Sequence, residues 1–372
     1  MFRLLLGAAA LLVGCGAVPH AESGQLLRSL GAPHHSEVAA LAPKLSEILR
    51  RIEEGDAAAV AEELRTSPGA EVIQWAFNGP AANATRRGKR VNLPVVAASG
   101  MGDSCFNAGM INIANNVGAH LDTYARCVPT GDTAIGDTLN SFLMTMDNNV
   151  DEFAERVKND PELANGFNAF GISQGTNVIR GYMHRYQGEP GYPVVDTLLS
   201  LSSPIVGVGA FPMCSPEGPL IGIICQLLAE VLGSLAYLPL FQSFLFQANY
   251  FRDPTRVETE EYLANSQLAQ WNNEGVINEQ YRQRFLLTRQ VVAVKALRDT
   301  VVWPVNAQQF GAPAPGTWVP EEMRSTRWYQ EDLFGLLTMD LAGRLGFEEF
   351  DGPHIGFTNA ELLEWVDRYF RV

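Results

Sequence analysis

Residues 168–186 read NAFGISQGTNVIRGYMHRY and hold one serine between two glycines, Gly171-Ile172-Ser173-Gln174-Gly175. A serine on a sharp turn from strand to helix can act as a nucleophile. The helix N-terminus behind it offers free N–H groups to a developing oxyanion. Glycine suits positions 171 and 175, because larger side chains two before and two after the serine would collide at such a turn. The same five residues also describe an ordinary tight turn, so partners decide between the two. In this arrangement the chain order is serine, acid, histidine. The histidines are His20, His34, His35, His120, His184 and His354, and only the last two follow Ser173. His184 lies on the helix that starts at the turn, roughly 16 Å away at 1.5 Å per residue. His354, in the loop DGPHIG, remains as the base by elimination. Asp299, just past the strand in VVAVKALRDTVVWP, is the acid that would orient it. Asp351 lies three residues from His354 and reads as shaping that loop, while Asp332 and Asp340 fall in predicted helices. Two backbone N–H groups would stabilise the oxyanion. One is that of Gln174; the other is that of Met101 in SGMGDSCFN, where Gly100 and Gly102 permit close approach. GMGD also reads as a plain strand-to-helix turn with Asp103 or Ser104 as the cap.

These residues need a scaffold, and the pattern around them alternates. LPVVAAS (93–99) reads as a strand, AGMINIANNVGAHL (108–121) as a helix, TYARCVP (123–129) as a strand, and residues 138–160 as one long helix. GFNAFGIS (166–173) is a strand, 175–186 a helix, and VVDTLLSLSSP (194–204) a strand. The pattern breaks at about 205–285, where LIGIICQLLAEVLGSLAYLPLFQSFLFQANYF is very apolar but interrupted by glycine and proline, with Glu230 inside it. It reads as an inserted helical cap rather than a membrane span. Strand character resumes at 289–297 and 342–350, and a last helix runs from about Asn359 to Arg371. Strands alternating with helices predict an α/β fold: a mostly parallel central sheet with helices on both faces.

With 372 residues and only 18% charged, the chain can bury a large core. A formal charge of −14 disfavours nucleic acid, whose phosphates it would repel. No metal-ligand spacing and no Gly-rich phosphate loop is present, so neither metal nor other cofactor is expected. Residues 1–22 read as a secretory signal peptide, with a bacterial lipoprotein signal around Cys15 as the lesser alternative. Residues 23–90 read as a helical extension ending in the basic linker NATRRGKR, and the main domain as 91–372. Asn83 opens an acceptable glycosylation sequon. Without Cys15, four cysteines remain, an even count that in a secreted chain suggests two disulfides. Cys214 and Cys225 are near in sequence and pair with each other, leaving Cys105 with Cys127; four free buried thiols are the alternative.

LPVVAASGMGDSCFN, GFNAFGISQGTNVIRGY, QANYFRDP, GVINEQYRQRF, VVAVKALRDTVVWPV, WYQEDLFGLLTMDLAGRL and DGPHIGF occur in the order and spacing of the palmitoyl-protein thioesterases, and most resemble the lysosomal type. The resemblance spans residues 93–372 and implies an α/β-hydrolase fold. It also implies removal of long fatty acyl groups from cysteine thioesters, so S-acylated proteins or peptides and fatty acyl thioesters are the expected partners. Motif by motif it assigns Ser173 as nucleophile, Asp299 as acid, His354 as base, and Met101 and Gln174 as oxyanion donors. Cys214 and Cys225 fall where the family has a short-range disulfide. The chain departs from the family at Ser99, where lysosomal members often carry histidine, and at Phe106, where they often carry a second cysteine. The expected destination is the secretory pathway, lysosomal or secreted. A lipase or esterase acting on oxygen esters, and a non-catalytic lipid- or partner-binding relative, are the alternatives.

Overall fold

The structure, a computed structural model, describes residues 92–210 and 235–371. The expected signal peptide, the N-terminal extension, Asn83, Cys214 and Cys225 lie outside the described residues.

Strands β1 (Val95–Ala98), β2 (Ala125–Cys127), β3 (Phe167–Ile172), β4 (Val195–Leu201), β5 (Gln290–Ala296) and β8 (Leu345–Phe350) form one parallel sheet in the order β2-β1-β3-β4-β5-β8. A short antiparallel pair, β6 (Ala312–Pro313) and β7 (Pro320–Glu321), stands apart. The inner strands are mostly apolar and buried along nearly their whole length because both faces of the sheet are covered. Alternate residues serve alternate faces. Val95, Ala97, Phe170, Ile172, Leu199, Leu201, Val292 and Val294 enter one core. Helices α1 (Ala108–Leu121) and α12 (Asn359–Phe370) close that core through Met110, Val117, Leu362, Trp365 and Phe370. Val96, Ala98, Phe167, Ala169, Leu198, Val291 and Ala293 enter the opposite core.

Residues 138–160 are not one helix. Helix α2 (Ala134–Leu143) ends before α3 (Met146–Lys158) begins. Thr145 caps α3, accepting the N–H of Asn148, and the buried Asn149 amide donates to the carbonyls of Asn140, Met144 and Thr145. The carbonyls freed by the break thus find a side-chain donor, which makes an interruption inside the core tolerable. On the same face lie α3 and α4 (Gly175–Arg185).

The described part of the segment between β4 and β5 is built of short helices. These are α5 (Pro239–Gln242), α6 (Phe246–Tyr250), α7 (Glu260–Asn265), α8 (Gln267–Trp271) and α9 (Glu279–Phe285). Tyr237, Leu245, Phe246, Tyr250 and Phe251 are buried in the core, whereas Leu238 and Leu240 face solvent. Among the described residues no helix is long and apolar enough to cross a membrane. Helices α10 (Arg327–Gln330) and α11 (Leu336–Leu341) follow β7. Asp332 is not helical: it lies between α10 and α11 with φ of 51°. Its carboxylate, fully buried, holds the equally buried guanidinium of Arg282 at 2.5 Å.

The strand order reverses direction at β1 and β3, which are neighbours in the sheet. At such a point the loops leaving the carboxyl ends diverge and open a crevice. Ser99–Asn107 leaves β1 there, and Ser173 leaves β3.

Candidate active site

Ser173 occupies the turn from β3 to α4 with φ of 51°, a conformation that side chains other than glycine seldom adopt. Its strain is held from both sides. A Cβ at Gly171 would lie 2.3 Å from the Cα of Thr176, and one at Gly175 would lie 2.3 Å from the carbonyl oxygen of Ala98. The two glycines therefore do different work. Gly171 lets the chain fold onto its own helix, while Gly175 lets α4 press against the end of β1. Gly100 approaches from the other side, and a Cβ there would sit 3.5 Å from the Cβ of Ser173.

Three sequence-selected residues form one hydrogen-bonded row. Ser173 Oγ and His354 Nε2 are 2.9 Å apart, and His354 Nδ1 is 2.6 Å from Asp299 Oδ2. With Nδ1–H donating to the carboxylate, Nε2 is free to accept the serine proton. The remaining acceptor capacity of Asp299 is filled. Oδ1 takes the N–H groups of Val301 and Val302, and Oδ2 takes the amide of Gln308. Burial opposes the carboxylate's charge, but the hydrogen bond and charge of His354 and the backbone N–H groups of Val302 and Val301 hold its pKa below the ordinary value. The three residues come from the loops at the carboxyl ends of β3, β5 and β8. His184 lies elsewhere, stacked on Phe285 in the core. Asp351 is exposed and pairs with Arg298.

Backbone accounting sorts the N–H groups around the serine. Ser173 N–H is spent on the carbonyl of Leu201, Gly102 N–H on Ser141 Oγ, and Asp103 N–H on Gly100. The N–H groups of Met101 and Gln174 have no acceptor among the described residues. A tetrahedral oxyanion beside Ser173 would supply one.

Cys105 and Cys127 form a disulfide, with Cα atoms 5.2 Å apart, that ties the loop after β1 to the end of β2. Asp137, which sequence reading passed over, reinforces the same loop. Its buried carboxylate accepts Ser104 Oγ–H and Cys105 N–H on one oxygen, and Thr130 and Gly131 N–H on the other. In the sequence Asp137 looks like any acidic residue in the first turn of a helix. Among the described residues no group of His, Cys, Asp and Glu could hold a metal ion.

Solved structures with a similar fold include a pyrethroid hydrolase, at 13% identity and a TM-score of 0.37 over 75% of this chain and 97% of that one. A methylesterase from Arabidopsis is another, at 10% identity and a TM-score of 0.35 over 74% of this chain and 98% of that one. The sequence is 31% identical to palmitoyl-protein thioesterase 1 of Caenorhabditis elegans across 295 residues, covering 77% of this chain and 93% of the relative. It is 33% identical to palmitoyl-protein thioesterase 3 of Dictyostelium discoideum across 230 residues, covering 61% of this chain and 73% of the relative. The family model described as palmitoyl protein thioesterase matches residues 94–354, from Pro94 just before β1 to His354 itself. The chain is an α/β-hydrolase and belongs to the palmitoyl-protein thioesterase family.

Proposed function

We propose that this enzyme removes long-chain fatty acyl groups from cysteine thioesters of proteins or peptides through an acyl-serine intermediate. The observation that carries the proposal is the row Ser173–His354–Asp299 beside two unspent N–H groups, in a chain of this family. His354 Nε2 takes the proton as Ser173 Oγ attacks the thioester carbonyl carbon. The Met101 and Gln174 N–H groups receive the oxyanion. Collapse of the tetrahedral species expels the cysteine sulfur, already a good leaving group; the His354 imidazolium gives it the proton, so the free thiol departs and Nε2 is neutral again. Water, deprotonated by His354, then attacks the acyl-serine, and the free fatty acid departs while Ser173 recovers its proton.

Acyl selectivity follows from apolar burial. Each buried methylene contributes about 0.8 kcal/mol, so a sixteen-carbon chain offers ample binding free energy. Ile355, next to His354, is an exposed apolar residue suited to meet such a chain. The Cys105–Cys127 disulfide supports residence in an oxidising compartment, in keeping with a secretory route.

Rates on S-acyl thioesters of increasing chain length, set against oxygen esters of equal length, test the proposal. The expected result is a preference for the thioester that grows with chain length and vanishes in Ser173→Ala. A preference for oxygen esters would overturn it in favour of a lipase or esterase.

A further inference from the structure

Ser141 lies on α2 near the break and touches both sides of the oxyanion region. Its Oγ accepts the Gly102 N–H at 2.9 Å and donates to the Thr138 carbonyl at 2.7 Å. Its carbonyl accepts Gln174 Nε2 at 2.8 Å and Gln247 Nε2 at 2.8 Å. That carbonyl is open to side chains because α2 stops at Leu143, two residues before the amide that would otherwise bind it. Gln247, fully buried on α6, also donates to Gln174 Oε1 at 2.7 Å, and the Tyr250 hydroxyl donates there at 3.1 Å. The Gln174 side chain is thus fixed at both ends, by α2 and by the cap. The Gly102 amide, next in the chain after Met101, is fixed by the same serine.

We propose that Ser141 is a positioning residue that holds the Met101 and Gln174 N–H groups in one frame, and that Gln247 ties this frame to the cap. The inference rests on the serine-hydrolase reading above. Neither side chain hydrogen-bonds to Ser173, His354 or Asp299, so the effect passes through the two backbone donors. Oxyanion donors act only when aimed beforehand at the place where charge develops. Losing the Gly102 anchor lets one of the two donors drift, and the transition state is weakened more than the bound substrate.

The test uses the full chain and the rate at which a fluorophosphonate labels Ser173, a reaction that builds an oxyanion without needing a thioester. Ser141→Ala should slow labelling by roughly 10–100-fold, less than the outright loss of a donor. The kcat for a palmitoyl thioester should fall in parallel, with KM within about twofold, the signature of an interaction made in the transition state. Ser141→Thr restores the hydroxyl beside a small cavity lined by Ser99, Ser141, Gln174 and Val178. It should recover labelling to within about threefold of the parent rate, since the Gly102 anchor is back. Should Ser141→Ala fail to fold, Gln247→Leu carries the same test, with labelling slowed by about 10-fold. Labelling at the parent rate in a folded Ser141→Ala or Gln247→Leu protein would overturn the inference. So would failure of the threonine variant to recover while melting like the parent. A parent protein that does not label at all would overturn the serine-hydrolase reading, and the positioning role with it; labelling without thioester preference would overturn the substrate assignment alone.

Discussion

At the scale of single residues, the chemistry depends on groups that are ordinary in isolation. Ser173 has no unusual neighbour in the sequence; the loop after β8 brings His354 Nε2 to 2.9 Å from its Oγ, the contact on which the proposed mechanism rests. Ser173→Ala should remove both turnover and fluorophosphonate labelling while leaving the melting temperature nearly unchanged. Asp299→Asn should lower kcat by about 10³–10⁴, because the amide would favour the wrong imidazole tautomer. The same residue carries a stability effect with a definite sign. Its carboxyl pKa is held below the ordinary value in the folded state, so the folded protein binds fewer protons there than the unfolded chain. The stability this supplies is present above about pH 4 and is lost as pH falls through the lowered value. Acid unfolding followed by circular dichroism should therefore be less steep below about pH 4 in Asp299→Asn than in the parent.

At the scale of elements, the turn and α4 are specified by contact rather than by helix propensity. Gly175→Ala places a methyl 2.3 Å from the carbonyl oxygen of Ala98, backbone that cannot step aside. An expected cost of about 1–3 kcal/mol in chemical denaturation, with a loss of kcat larger than that of Gly109→Ala in α1, would check it. Gly109 is a fair control because nothing lies within 4 Å of a Cβ there. Further along α4, His184 is buried with Nε2 accepting from Arg180 Nε and Nδ1 donating to the Tyr281 carbonyl. Burial, and then the nearby Arg180 charge, hold its pKa well below the usual value. Burial also pushes Arg180 down, to about 9, which leaves it charged at neutral pH. The unfolded chain takes up a proton at His184 that the folded one refuses. Stability is full above about pH 6.5 and falls by up to about 1.4 kcal/mol per unit below it. Denaturant midpoints at pH 7 and pH 5.5 should show this loss, and His184→Phe should reduce the difference between them.

At the scale of the whole molecule, distant segments are joined by a few strong ties. Cys105–Cys127 closes a loop with a sequence separation of 22 residues, which by loop-closure entropy stabilises by about 3 kcal/mol. It also anchors the loop that carries Met101. Replacing both cysteines by alanine should therefore lower the melting temperature and slow labelling of Ser173, whereas a tie remote from the site should affect only the first. The buried Arg282–Asp332 pair is such a remote tie, joining α9 to the turn before α11. Asp332→Ala removes one carboxylate from the buried Arg282 guanidinium, leaving Glu279 at 3.0 Å as an ionic partner, and should cost about 2–3 kcal/mol, read by thermal or urea unfolding, with kcat per folded molecule unchanged.

Much of this was legible along the chain because it is local. Short apolar strands between helical stretches, the Gly-Ile-Ser-Gln-Gly turn and the glycines around Met101 are all short-range patterns, and the order serine, aspartate, histidine is read directly along the chain. Elimination among six histidines left His354 because only two follow the serine and a helix carries one of them away. The break between α2 and α3 was not legible, since its cause is Asn149 reaching back to carbonyls that only become free when the helix stops. Asp332 reads as helical until Arg282, 50 residues earlier, is seen to need its carboxylate. Asp137, Ser141 and Gln247 carry no mark of their work, because a buried polar side chain and an exposed one are written with the same letter. The sequence by itself determined which residues can do chemistry and which segments become strands. Only the tertiary structure decided which backbone N–H groups remain unspent beside Ser173, because that depends on acceptors brought from loops and helices far apart in the chain.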